Sequence, residues 1–306
     1  MTIDTLLSRL LDKTLAPPAV DTLRAWWEAT AAERESWPHT VDRALVGGAC
    51  ADRVGFAFAS GYFEALRALA PNALSGITAL CATEEGGNHP GAIQTRLEPA
   101  GPGRYTLSGK KKWATVASEA SALLVVATAG ESAEGRNQLR VVRVATTAPG
   151  VRLQSTTAPF VPEIPHAEVE LDGVEVGEAD ILPGDGYDDY LKPFRTVEDI
   201  HVHASVIGYL IGVSRRHDFP HEIVQSLTTL AVVTRSLADA DVKAPATHIA
   251  LAGLIDLATR AVASVEEKWG AVPDDEWKRW LRDRALLQVS GKARAARRER
   301  AWEAFG

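Results

Sequence analysis

The hydrophobic period of this chain changes twice, and that change limits its fold more than any other feature. Near the start, Leu6, Leu7, Leu10 and Leu11 form a stripe at 3–4 spacing, and Leu23, Trp26 and Trp27 form another. Such spacing places side chains on one face of a helix. From about residue 76 the rhythm shortens to alternation. Arg104–Gly109 alternates, and Val169, Leu171, Val174 and Val176 recur as in a strand with one wet face. From about residue 195 the helical period returns. We therefore expect three regions: a helical one at 1–75, a β-domain at 76–192 and a helical one at 193–306.

Each region carries internal signals. The run Ala44–Ala70 is dense in glycine and alanine, which suits two closely packed buried helices. In the middle region, Ile77–Ala82, Ala122–Ala127, Leu139–Ala145 and Val151–Gln154 read as short strands between Gly/Pro turns. That pattern predicts an antiparallel barrel or sandwich rather than a βαβ sheet. In the last region the periodicity predicts helices near 197–214, 220–239, 246–269 and 274–303, with Pro245 and Pro273 at helix starts. Their short connections suit an antiparallel four-helix bundle. The fold class is thus α+β. The final helix is basic, with Lys292, Arg294, Arg297, Arg298 and Arg300 near its C-terminus, where the helix dipole favours cations.

Charge and cysteine content exclude some functions. A net charge of −7 argues against a nucleic-acid binder. Cys50 and Cys81 have no metal-ligand spacing and build no disulfide framework, so a reduced, cytoplasmic setting is the simplest reading. No stretch of 18 residues is both uncharged and apolar, and MTIDTLLSRLLDKTL lacks a signal-peptide pattern, so neither a membrane span nor a leader is expected. Cys81 reads as a small buried hydrophobe, and His89 and His166 read as surface residues. His201 and His203 fall on different helix faces and make a poor metal pair.

The middle region carries a resemblance. Cys81-Ala-Thr-Glu-Glu-Gly-Gly-Asn-His89, continuing to Ile93-Gln-Thr95, resembles the "TEPGAGSD" segment of the acyl-CoA dehydrogenase family. Tyr105-Thr-Leu-Ser-Gly-Lys-Lys-Lys-Trp-Ala-Thr115 is similar to its "Y-x-L-x-G-x-K-x-W-I-T" strand pair. Pro149-Gly-Val151, Val169–Val176 and Ile181–Gly186 resemble later family segments in the right order. The likeness runs from about 50 to 215, in a chain shorter than typical members.

The resemblance implies a flavin enzyme that α,β-dehydrogenates a CoA thioester, as in fatty acid metabolism, with FAD as cofactor and electron-transfer flavoprotein as a partner. It also implies a homodimer, or a hetero-oligomer with a longer homologue. Trp113 would cover the isoalloxazine, and Thr115 would bond near its N5. Backbone at Leu80, Ala82 and Thr83 would line the pyrimidine side. Asn88 would stand in for the family's serine near the phosphates. The nearest match to the family's Arg-x-x-Phe-Gly segment, which reaches a neighbouring subunit's cofactor, is Arg216-His-Asp-Phe219-Pro220. No segment for the adenosine end is recognisable.

The family's usual catalytic glutamate lies in a "Y-E-G-T" loop before the last helix, and Arg282–Gly291, the matching stretch here, has no glutamate. Some branches place the base on the first bundle helix. Counting back from Gly208, that position is Glu198, which shares a stripe with His201, Val202, Ser205 and Tyr209. A carboxylate is the right group, because a weakly acidic α-proton needs a base whose pKa an apolar site raises. Two plainer readings stay open. Glu198 also reads as a first-turn acid behind a Thr196 cap, and Trp113 as one core tryptophan among eight. The functional alternatives are a non-catalytic partner subunit or scaffold, and a flavin-dependent oxygenase.

Overall fold

The computed structural model describes residues 1–74, 76–156 and 160–306. The chain packs as two compact units: residues 1–68 with 196–306, and residues 69–195.

The first unit is helical. It opens with α1 (Ile3–Leu11), α2 (Leu23–Ala29), α3 (Ala31–Glu35), α4 (Thr40–Ala49) and α5 (Val54–Leu69). It continues with α6 (Lys192–Arg216), α7 (His221–Leu237), α8 (Pro245–Glu266), α9 (Asp274–Asp283) and α10 (Gly291–Trp302). The small-residue run does form a buried helix pair, α4 and α5, and its glycines set how closely α6 approaches. A methyl group built on Gly48 would lie 1.9 Å from the Ser205 carbonyl oxygen, and one on Gly208 would lie 2.0 Å from that of Leu45. One on Gly61 would lie 2.6 Å from the His201 carbonyl oxygen. Backbone meets backbone at these crossings, which any larger residue would prevent. Aromatic stacking fills the rest: Trp26 on Phe56 at 5.4 Å and Trp269 on Trp280 at 4.6 Å.

Two helix expectations change. The single helix predicted over 274–303 is two helices, α9 and α10, separated by a 3₁₀ turn at Arg284–Gln288. Ser290 sits at φ 68°, in the left-handed region that ends a helix, just before Gly291. The first bundle helix starts at Lys192 rather than near 197, following a π-turn at Gly186–Leu191 whose N-terminus Asp185 caps. Thr196 is therefore inside the helix and cannot be its N-cap.

α8 is long and apolar enough by length and composition to cross a membrane, contrary to the sequence expectation, with only 17% of its apolar window buried. It carries Asp256 and Arg260 mid-helix, which hydrocarbon would penalise, while Leu251, Leu254 and Val265 pack inward. These features fit a bundle helix packed on one side.

The second unit is a curled seven-stranded sheet: β1 (Thr78–Cys81), β2 (Arg96–Gly101), β3 (Arg104–Thr115), β4 (Ala122–Glu131), β5 (Asn137–Ala145), β6 (Val151–Thr156) and β7 (His166–Gly177). The order is β1-β4-β2-β3-β7-β6, with β5 on β4. Most pairs are antiparallel as expected, but β1 and β2 each join β4 in parallel. Sequence alternation missed β2, whose Pro99 and Gly101 break the pattern. Leu124, Val126, Leu139, Val141, Ile93 and Leu191 form part of its core.

Candidate functional site

The segment after β1 is the most constrained part of the β-unit. Glu84 and Gly87 exchange two backbone hydrogen bonds of 2.9 Å, closing a tight turn. Gly87 has φ 109°, which a side chain would resist. The Glu84 carboxylate is buried. It accepts from Gln94 N at 2.8 Å, Thr95 N at 3.0 Å and the Thr95 hydroxyl at 2.8 Å. It also meets Lys111 Nζ at 2.6 Å. Burial alone would raise the Glu84 pKa, but Lys111 and the backbone amides outweigh it and hold the carboxyl below its ordinary value.

Lys111 sits at the inner end of a bulge. Along the β3–β7 ladder, Lys111 pairs with Val169 and Ala114 with Ala167, so Lys112 and Trp113 together oppose Glu168 alone. Bulges of this kind redirect a side chain. Trp113 takes φ 59° and is 64% exposed. It is therefore not a core tryptophan. The bulge thus holds a large aromatic face in the open on left-handed backbone. Lys112 N donates to the Thr83 carbonyl at 3.0 Å, tying the bulge to the turn.

The other β-unit candidates fall nearby in the chain but differ in exposure. Ala82 is buried, and its carbonyl accepts from Lys111 Nζ at 3.4 Å. Thr83, Leu80 and Thr115 are partly buried, and Thr115 pairs with His166 on β7. The Ala82 and Thr83 carbonyls are both engaged inside the unit. Asn88 is exposed and accepts from Arg195 at 3.1 Å. His89 is exposed as expected, whereas His166 is half-buried with its pKa lowered by burial. Cys81 is buried, and burial pushes its thiol pKa up.

The remaining candidates belong to the helical unit. Glu198 lies in the second turn of α6, half-buried, with its pKa pushed up to about 7 by burial and by neighbouring Asp199, against a smaller opposing effect of Arg294. Asp199 itself is clamped by α10: Arg294 Nε bonds it at 2.8 Å, and Arg297 bonds its second oxygen. The stripe expected to accompany Glu198 splits. His201, Ser205 and Tyr209 are buried within the helical unit. His201 Nε2 meets the Thr40 hydroxyl at 2.9 Å, Ser205 abuts Gly48 and Gly61, and Tyr209 stacks on Trp280. These three are core residues, because the glycines of α4 and α5 draw that face of α6 inward. Burial takes the His201 pKa down to about 4. Arg216 bonds Glu276 at 3.1 Å, and His217 holds the other oxygen of Glu276. Asp283, in the stretch that matches the family's glutamate loop, is buried and paired with Arg282. Among the described residues no cluster of three or more His, Cys, Asp or Glu is arranged to hold a metal ion.

Comparison with known proteins bears on these features. Residues 79–174 match the acyl-CoA dehydrogenase middle domain, a span that contains the turn, the bulge and Trp113. The β-unit is thus similar to an acyl-CoA dehydrogenase middle domain. Solved structures extend the acyl-CoA dehydrogenase-like fold over both units. Butyryl-CoA dehydrogenase from Megasphaera elsdenii superposes with a TM-score of 0.67 at 14% identity, over 98% of this chain and 89% of that one. FMN-bound TdsC from Paenibacillus sp. A11-2 gives 0.70 at 14% identity, over 99% and 94%. FkbI, described as acting in biosynthesis of the methoxymalonyl extender unit of Fk520, gives 0.63 at 18% identity, over 99% and 93%. No curated protein matches the sequence. The acyl-CoA dehydrogenase-like fold is thus shared with flavin-binding oxidoreductases. Sequence reasoning located the turn and Trp113 but passed over Glu84 and Lys111. A lysine at an inward position of an alternating strand was the available signal.

Proposed function

We propose that this chain is an FAD-dependent oxidoreductase that introduces an α,β double bond into a CoA thioester. The observation that carries the reading is Trp113, an indole held 64% exposed on a backbone bulge at φ 59°. The residues present fit a flavin: an exposed aromatic face at Trp113, the Thr83 and Thr115 hydroxyls, and Asn88 with Arg195 for phosphate. Trp113 and Thr115 would hold the ring, with Leu80, Ala82 and Thr83 along its pyrimidine edge. When bound, the flavin supplies an acceptor for the hydride that leaves Cβ. Glu198 takes the proton from Cα into its carboxylate as the Cα–Cβ double bond forms. A carboxyl whose pKa is raised to about 7 holds that proton near neutral pH.

Reoxidation would fall to electron-transfer flavoprotein. The exposed face of α7 and α8, with a groove of about 460 Å³ around Leu257 and Leu230, suits a homodimer.

A second reading is an FMN-using oxygenase. Its support is that Glu276 already engages Arg216, the residue matched to the segment that reaches a neighbouring subunit's cofactor, and that TdsC holds FMN on this fold. The absorption spectrum of the purified protein between about 300 and 550 nm, followed by release and identification of the nucleotide, separates the two. FAD with acyl-CoA-dependent bleaching that Glu198→Gln abolishes supports the dehydrogenase. Unimpaired bleaching in Glu198→Gln removes Glu198 as the base.

A further inference from the structure

We propose that Lys111 and Glu84 are positioning residues whose buried ion pair fixes the Trp113 bulge and the Ala82–Glu84 segment as one rigid wall. The inference rests on the reading of that wall as flavin-contacting.

Lys111 has a fully buried side chain. Its ammonium group has three donors, and three acceptors meet it: Glu84 Oε1 at 2.6 Å, the Val126 carbonyl at 2.6 Å and the Ala82 carbonyl at 3.4 Å. These lie on the turn after β1, on β4 and at the end of β1. The carboxylate in turn gathers Gln94 and Thr95. The pair therefore joins four separate stretches of backbone by directional bonds. β3 also lies against Thr95 with no room to shift. A methyl group on Gly109 would come 2.6 Å from the Thr95 Cα.

Stability alone does not account for such a pair. Burial lowers the Lys111 pKa, and Glu84 only partly restores it. Apolar residues of similar volume usually serve a core as well or better. What the ions add is direction. Two residues beyond Lys111 the chain turns into a left-handed conformation to expose Trp113, and between them Lys112 N is bonded to Thr83 O. An apolar side chain at 111 would fill the same space and leave the root of the bulge free to rotate. Precise placement of a contact shell depends on such supporting bonds.

The test is the double variant Lys111→Met with Glu84→Gln. It keeps volume, keeps an acceptor for the Thr95 amide and leaves no unpaired charge. The full-length protein is labelled with 5-fluorotryptophan, and Trp113→Phe assigns the Trp113 fluorine resonance. In the double variant we expect a melting temperature near that of the parent, a broadened or shifted Trp113 resonance, and FAD affinity weaker by about ten-fold or more, the scale seen when the partners that orient metal ligands are removed. A parent-like resonance together with parent-like affinity would overturn the proposal. So would a lowered melting temperature with the resonance and affinity unchanged, because that is what a purely structural pair gives. If the double variant does not fold, Thr95→Val removes one bond to Glu84 and gives the same comparison at smaller amplitude. A parent protein that takes up no flavin refutes the flavin reading, and the fluorine spectra then decide the positioning role alone.

Discussion

Replacing Glu198 with glutamine tests the electrostatics of α6 without reference to any substrate. The carboxyl moves from an ordinary 4.5 to about 7 in the folded chain, mainly through burial. That difference corresponds to at most roughly 3 kcal/mol between the protonated and ionised forms. Glu198 keeps some exposure, so solvent screening reduces the effect to on the order of 1–2 kcal/mol. The folded state binds the proton more tightly than the unfolded chain does. Its contribution is full below 4.5, fades as pH rises through about 7 and is lost above. Glutamine does not titrate. The variant should match the parent in urea denaturation near about pH 4 and exceed it by on the order of 1–2 kcal/mol near about pH 8. A constant difference between the two pH values would mean that Glu198 is an ordinary hydrated acid, and its suitability as a base would go with it.

Other predictions follow from packing and exposure. Gly48→Ala should gain about 1 kcal/mol of helix propensity but lose more, about 2–3 kcal/mol net, because its methyl would collide with the Ser205 carbonyl oxygen. A raised urea midpoint would show that α4 and α6 are not in backbone contact. Trp113→Ala should change stability by less than about 1 kcal/mol, since the indole is mostly exposed, while abolishing flavin retention on gel filtration. Under the proposed homodimer, Leu257→Asp on the exposed face of α8 should lower the light-scattering mass from dimer to monomer; an unchanged dimer would place the interface elsewhere, and a monomeric parent would remove the dimer proposal.

Much of the architecture was written in local order. Hydrophobic period alone separated helical from β regions, since a period of 3.6 and a period of 2 cannot serve the same element. The residues at 81–89 and 105–115 marked the turn and the strand that now present Trp113. Local order also misled at defined places. The basic stretch up to Arg300 read as one helix until Ser290 broke it, and Thr196 read as a cap although α6 begins four residues earlier.

Only tertiary structure decided which side of each residue matters. Trp113 has the same local sequence whether buried or exposed, and the two-for-one bulge against Glu168 turned it outward. Glu84 and Lys111 are separated by 27 residues, so no local pattern pairs them, and folding makes them one buried unit. His201, Ser205 and Tyr209 shared a stripe with Glu198 in sequence, yet glycines on α4 and α5 claimed them for the core. Periodicity is a property of neighbouring residues, whereas burial and charge pairing depend on what distant segments bring to the same place.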